Sequence, residues 1–465
     1  MALSAACSQP AGDPVPGVVL ITVDTLRADR LGCYGYRLET SPHIDSLAAR
    51  GVRFADTTVQ WPKTGPSMAS LLTGAYPKTT GLGIQPRQLH ESLLMLSEVF
   101  GQAGYESAAV VANFNLRRAV GFGQGFDSFV ESWQEPYEAA EGRSEFVNQP
   151  GKVKRYTNAT LVTDEGLHWL RSRDVSRPFL LWLHYMDPHG PYLPPEEYRR
   201  YFEGEYRNTM VPPELMPKYQ VQRRNDHTLY ILSHYNAQYD REIRYLDDEL
   251  GRLFASLDEL GVGDSLIVLT ADHGESMGEH DYYFEHGKLP YQATAHVPLI
   301  IAQKGVIAGG RTVQHPVGLI DIAPTIVEMS GIPVPESHQG VSLAGILRQE
   351  DSPQLPERVF MEGGYDPERS QLVIREGRWK LIHVRFDRDR SFMTGAEFEL
   401  YDLDADPTEL INVADQHPDV VARMQRELKR WYRGGPRPAE VGRVVDLEKL
   451  DERSQDMLKA LGYME

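Results

Sequence analysis

Residues Val18-Val-Leu-Ile-Thr-Val23, with Asp24 directly behind them, decide how this chain folds. Six apolar or β-branched residues run without polar alternation. A strand with water on one face alternates, so an unbroken run reads as a strand covered on both faces, as in a parallel sheet under helices. Similar runs recur at Ala108-Ala-Val-Val-Ala112, Phe179-Leu-Leu-Trp-Leu183, Leu266-Ile-Val-Leu269 and Pro298-Leu-Ile-Ile301. Between them, Tyr235, Tyr239, Ile243, Leu246, Leu250, Leu253 and Leu257 return at three- and four-residue steps, the spacing of an amphipathic helix packed on a sheet. Strand and helix alternate, which predicts an α/β fold: a large sheet of mostly parallel strands sandwiched by helices.

The texture changes after about residue 345. Gln371-Leu-Val-Ile-Arg375, Trp379-Lys-Leu-Ile-His383 and Phe398-Glu-Leu-Tyr-Asp402 read as short strands of a smaller C-terminal antiparallel-sheet subdomain, followed by a helix from Pro418 to Trp431. The expected division is a flexible segment over 1–17, a catalytic α/β domain over 18–345, the subdomain over 346–435 and a charged tail over 436–465. Polar stretches near 135–160 and 186–230 are long enough to be substrate loops.

Charge narrows the partners. Lys and Arg number 48 against 66 Asp and Glu, a net charge of −18, which argues against nucleic acid and anionic membranes. An anionic substrate then needs a local positive site, and a bound metal supplies one. With Cys7 and Cys33 alone, no disulfide framework exists. No apolar run reaches the roughly 18 residues of a membrane span. The start, Met1-Ala-Leu-Ser-Ala-Ala-Cys7-Ser8, resembles the end of a bacterial lipoprotein signal without its basic start and full apolar segment. A periplasmic or lipid-anchored protein is one expectation from it, and a plain tail the other.

Three polar clusters each follow a buried strand: Asp24, Asp187-Pro-His189 and Asp272-His273-Gly-Glu275. In open α/β sheets ligands bind at the carboxyl ends of strands, where such loops converge. A lone Asp there is usually a turn or cap; three clusters on one edge point to a site. Thr64, ahead of Gly65-Pro66 and a short apolar run, reads as the start of a helix, where Thr most often serves as N-cap. The same position offers backbone N–H groups and a positive dipole end to an oxyanion.

In this order the motifs resemble the sulfatase family of the alkaline phosphatase-like superfamily, from about Val18 to Trp431. The landmarks are Val23-Asp-Thr-Leu-Arg-Ala-Asp29, Thr64-Gly-Pro-Ser-Met68 with Leu71-Leu-Thr-Gly74, Asp187-Pro-His-Gly-Pro-Tyr192, Thr270-Ala-Asp-His-Gly-Glu-Ser-Met-Gly-Glu-His280, His296-Val-Pro-Leu-Ile300, and Glu399-Leu-Tyr-Asp-Leu403 with Asp406-Pro. The resemblance implies one divalent metal held by Asp24, Asp272, His273 and the Thr64 oxygen. It also exposes departures. Thr64 stands where the family has the Cys or Ser that becomes formylglycine, so no formylglycine is expected. Met68 replaces the family's arginine, Thr25 its second aspartate, and His273 its asparagine. A histidine with two carboxylates favours zinc or manganese over calcium or magnesium.

Ala271-Asp-His-Gly-Glu-Ser-Met-Gly-Glu279, followed by His286-Gly-Lys-Leu-Pro-Tyr291, is also similar to phosphoethanolamine transferases of the same superfamily. Those enzymes use a threonine nucleophile and a histidine at the position of His286. The expected function is therefore metal-dependent hydrolysis of phosphate mono- or diesters. Thr64 is the nucleophile, His286 or His189 the acid, and Lys288, Asn113 and Lys63 substrate-binding residues. The substrate is a small-molecule, glycan or lipid ester. Alternatives are sulfate-ester hydrolysis without formylglycine, phosphoryl transfer to an acceptor alcohol, and a binding protein that kept the fold and lost turnover. His184, Glu275, His280 and His315 are read as structural or as supports behind the site residues.

Overall fold

The computed structural model describes residues 17–133, 158–364, 370–384 and 397–459, apart from isolated positions among 84, 203–226, 439 and 452–457. Cys7, the segment 1–16 and most of the polar stretch 135–160 lie outside the described residues.

Gly17–Val23 is a fully buried strand at the centre of a nine-stranded sheet. It pairs in parallel with Phe179–Tyr185 on one side and Leu266–Ala271 on the other. Glu106–Val111 and Ser128–Glu131 extend the sheet in parallel beyond Phe179–Tyr185. The mostly parallel expectation holds, with one strand running against the rest. His296–Ala302 pairs antiparallel with both Leu266–Ala271 and Val52–Thr58. Its register against Val52–Thr58 shifts between Val297 and Leu299, where Pro298 has no N–H for the ladder. Because this strand is reversed, its first residue, His296, lies at the edge where its neighbours end.

The helix over Leu232–Glu259 buries Tyr235, Tyr239, Ile243, Leu246, Leu250, Leu253 and Leu257, the stripe the spacing predicts. The helix Thr64–Thr73 is buried on nearly every side and stops at Gly74, whose φ of +61° needs no Cβ. A Cβ there would also sit 2.8 Å from the His338 ring.

The C-terminal unit is a four-stranded antiparallel sheet, Val359–Gly364, Ser370–Glu376, Trp379–Val384 and Phe398–Asp402, backed by the helix Pro418–Arg433. The first of these strands was not legible in the sequence. Leu372, Ile374, Leu381, Leu400, Met424 and Leu428 form its own small core. Among the described residues, no helix is long and apolar enough to cross a membrane.

Candidate active site

Each piece of the site hangs on a strand end. Asp24 follows Gly17–Val23, and its backbone N–H donates to the Tyr185 carbonyl at 2.9 Å. Asp272 follows Leu266–Ala271, and its N–H donates to the Val23 carbonyl at 3.2 Å. These bonds carry the ladder one step past the sheet and set the two aspartates side by side. Thr25 takes a left-handed φ of +57°, unusual for a β-branched residue. That turn aims its N–H at Asp272 Oδ1, 3.2 Å away.

One ligand atom from each of Asp24, Asp272 and His273 lies within 4.8 Å of the others, all fully buried. The His273 Nδ1–H donates to the Gly274 carbonyl at 2.9 Å, so the lone pair belongs to Nε2. Nε2 faces Asp272 Oδ2 at 3.4 Å, Asp24 Oδ1 at 3.9 Å and the Thr64 hydroxyl at 3.2 Å. Asp24 Oδ1 and Asp272 Oδ2 are buried and accept no hydrogen bond. Two partnerless carboxylate oxygens and an imidazole lone pair, with a hydroxyl beside them, are donors that could hold a divalent cation. The electrostatics agree. Burial alone would raise the Asp24 carboxyl, but His189, His184 and His273 outweigh it and hold Asp24 well below the usual range. Burial and the Asp24 charge push Asp272 far up. Two such carboxylates ionise together only beside a cation.

Thr64 is not the helix cap. The cap position is Lys63, which makes no side-chain cap bond, and Thr64 is the first helical residue with its hydroxyl turned to His273. Ser67, one turn on, donates its hydroxyl to the Asp272 carbonyl at 2.5 Å and ties the helix to the metal loop.

His286 stacks near His273, with ring centroids 4.2 Å apart, and His189 lies 5.2 Å from His286. The His286 Nδ1 is 2.9 Å from Glu275 Oε1, and Tyr192 donates its hydroxyl to Glu275 Oε2 at 3.1 Å. Glu275, read from sequence as structural or as a support behind the site residues, buttresses His286. The His189 Nδ1–H donates to the Gly190 carbonyl at 2.6 Å, which leaves its Nε2 as acceptor. Burial lowers His189 to about 4 and, joined by His273, takes His286 well below its ordinary value.

Arg27 holds this loop in place. Its guanidinium donates to the Glu275 carbonyl at 2.9 Å and pairs with Asp29 and Glu279 at 2.7 and 2.8 Å. Here the Arg27-Ala-Asp29 motif has a mechanical role.

The three residues expected to meet substrate differ in place. Asn113 donates its amide to Asp24 Oδ2 and is fully buried, so it holds that carboxylate in place. Lys63 and Lys288 lie close enough to His286 for their charges to act on it. Lys63 reaches past Gly287, burial and Lys288 lower its pKa, and Lys288 lies 3.5 Å from Glu285. Behind Asp24, the Trp182 indole N–H donates to the Thr22 hydroxyl at 2.8 Å, which meets His184 Nδ1 at 2.9 Å. His184 Nε2 faces Asp24 Oδ2 at 3.4 Å. A Thr22 hydroxyl donating to Nδ1 places the imidazole proton on Nε2, toward Asp24, and satisfies each group. Strand alternation gave no sign of this line, because it crosses between two strands.

A sulfatase family profile matches residues 16–332, and the C-terminal profile of N-sulphoglucosamine sulphohydrolase matches 278–433. The chain is 24% identical to an arylsulfatase of Clostridium perfringens over 86% of its own length and 90% of that protein's. It is likewise 24% identical to an N-acetylglucosamine-6-O-sulfatase of Bacteroides thetaiotaomicron, covering 91% and 87%. Among solved structures, the phosphonate monoester hydrolase of Agrobacterium radiobacter superposes with a TM-score of 0.72 at 23% identity, over 90% of this chain and 95% of that one. With a buried Asp/His metal set at the strand ends and a profile match over most of its length, the chain belongs to the sulfatase family, as a hydrolase of sulfuric or phosphoric esters.

Proposed function

We propose that the protein hydrolyses phosphate mono- or diesters through Thr64 as nucleophile, on a small-molecule, glycan or lipid ester. One observation carries the reading: the Thr64 hydroxyl is turned into the Asp24, Asp272 and His273 cluster while a different residue occupies the helix cap. A threonine has no route to the aldehyde that sulfatases use to release sulfate, but its oxygen remains a competent nucleophile toward phosphorus. The phosphonate monoester hydrolases with this fold make phosphorus chemistry a natural use of the scaffold.

Asp24, Asp272, His273 and Thr64 would hold a divalent metal, zinc or manganese by the chemistry of the donors. When bound, such an ion favours the Thr64 alkoxide over the alcohol and offsets charge on a non-bridging substrate oxygen. Thr64 Oγ1, its proton released to solvent, forms a bond to phosphorus as the bond to the leaving oxygen breaks. His286 gives that oxygen its proton, and the Glu275 carboxylate stabilises the imidazolium. Its low resting pKa means that this protonation follows substrate entry: a phosphate dianion beside the ring raises it. Water then cleaves the phosphothreonine, with His286 as base. The His189 ring, its centroid 5.2 Å from that of His286, takes part in holding or moving that proton. Lys63 and Lys288 offer positive charge near His286.

A second reading, sulfate-ester hydrolysis with Thr64 acting directly, is favoured by the sulfatase activity of the curated relatives. The two are separated by assaying metal-loaded protein and its Thr64→Ala variant on nitrophenyl phosphate, a nitrophenyl phosphodiester and nitrophenyl sulfate. Faster turnover of a phosphorus ester, lost in the variant, is expected. Preference for the sulfate overturns the proposal.

A further inference from the structure

A cavity of about 260 Å³ borders the residues on either side of Thr64, with Lys63, Gly65 and Pro66 along one wall. A Cβ built on Gly65 meets nothing within 4 Å, so space begins at the residue that follows Thr64. The remaining walls come from distant parts of the chain: Leu82 and Arg87, Arg117 and Phe122, and Val445 with Leu447 of the tail. The tail is fastened there as a strand would be. Gln88 N–H donates to the Arg443 carbonyl and Val445 N–H to the Pro86 carbonyl, both at 2.9 Å. The contact is close enough that a Cβ on Gly442 would lie 1.7 Å from the Gln88 carbonyl oxygen. The charged tail is thus a wall of the cavity.

Two arginines line this space. Arg117 is 7% exposed, lies 4.0 Å over the Phe114 ring and donates to the Phe114 carbonyl at 2.9 Å. A guanidinium has five N–H donors, and among the described residues no carboxylate pairs with this one. Glu131 and Asp451 act on it only from a distance, and burial lowers its pKa to about 10, which leaves it charged at neutral pH. Arg87 donates to the Gly442 carbonyl and to Gln85, again not to a carboxylate. A guanidinium taken out of water without a counter-ion is costly. In a chain of net charge −18, buried Arg117, half-buried Arg87 and Lys63 around one cavity form a local anion trap.

We infer that this cavity receives the alcohol part of the ester and selects alcohols that carry a second anionic group. Arg117 and Arg87 hold that group while Leu82, Val120 and Phe122 cover an apolar ring face. The volume is just under the roughly 300–1,000 Å³ of drug-sized sites and suits one sugar or aryl ring. The inference rests on Thr64 as the reacting centre, and its chemistry is a carboxylate or an oxyacid group such as sulfate or phosphate.

The test reads binding without turnover. Metal-loaded Thr64→Ala protein is titrated calorimetrically with phenol, 4-hydroxybenzoate and 4-hydroxybenzenesulfonate, alone and with Arg117→Gln or Arg87→Gln added. The anionic phenols are expected to bind roughly tenfold or more tightly than phenol, and Arg117→Gln to remove most of that advantage. The tighter of the two anions tells carboxylated from sulfated or phosphorylated alcohols. Half-buried Arg87→Gln, expected to weaken both anions several-fold, serves if Arg117→Gln does not fold. Equal binding of phenol and the anions, or anion binding unchanged in the arginine variants, overturns the inference. Because no turnover is read, these results stand apart from the fate of Thr64: an active Thr64→Ala enzyme would sink the nucleophile and leave the subsite measurement intact.

Discussion

Under the C-terminal sheet, Lys380 meets Glu409 at 2.7 Å and Arg375 meets Asp56 at 2.6 Å, all largely buried. At the end of the central strands, Asp24 and Asp272 are buried just as deeply, yet the groups clustered with them are another carboxylate, imidazoles and a hydroxyl. The first region closes its charges with opposite charges from the same chain and fastens the small sheet to the large one. The second sets two carboxylates side by side with no Lys or Arg among the groups clustered with them. Burial costs both regions desolvation. The difference teaches that a buried charge cluster is glue when the chain supplies both signs, and a cation site when it supplies one.

The sharpest way to break that comparison is Asp272→Asn. Metal content should fall to background and ester hydrolysis by about 10³-fold or more, as for loss of a central catalytic group. The metal-free variant should melt no lower than the metal-free parent, because one of two facing like charges is gone. A clear loss of metal-free stability, by calorimetry, would mean that the pair is structural. Next comes Glu275→Gln. If Glu275 positions and stabilises protonated His286, kcat should drop roughly 10- to 100-fold with metal content unchanged, and the pH profile should shift. An unchanged profile would reduce Glu275 to packing.

Lys380→Met tests the other half. It strands Glu409 and should lower stability by about 3–5 kcal/mol in denaturant unfolding, while metal stoichiometry stays at that of the parent. Loss of metal would show that the two regions are coupled. The smallest effect belongs to a buried acid outside both. Asp321 is pushed up to about 7 by burial, against the pull of N–H donors from Gly318 and Val341. An unfolded aspartate titrates near 3.9. Between about pH 4 and pH 7 the folded state therefore holds the extra proton, and stability falls as pH rises, with no further loss above about 7. Melts of Asp321→Asn from pH 5 to pH 8 should be flatter than those of the parent.

Much of this was legible in the sequence, for a physical reason. An unbroken apolar run reports burial on both faces, and a polar residue at its end reports a strand edge, so Asp24, Asp272 and His273 could be grouped without coordinates. Direction and pairing could not. His296–Ala302 looks like its parallel neighbours because burial, not direction, sets its composition. Asn113 could be placed near the site, but its bond to Asp24 depends on where two loops from different strands meet. The Glu275 and His286 pairing spans a tight loop whose path is fixed by Arg27. The tail wall of the cavity depends on a strand-like pairing between residues hundreds apart, which no local pattern encodes.

The central claim is that Thr64 becomes covalently phosphorylated. The direct measurement is acid-quenched mass spectrometry of metal-loaded His286→Asn protein mixed with nitrophenyl phosphate, since loss of the general base should slow water's attack on the intermediate. The account predicts one added phosphoryl group, located on Thr64 and absent when Thr64→Ala is added. Steady turnover with no adduct, together with activity retained in Thr64→Ala, would contradict it.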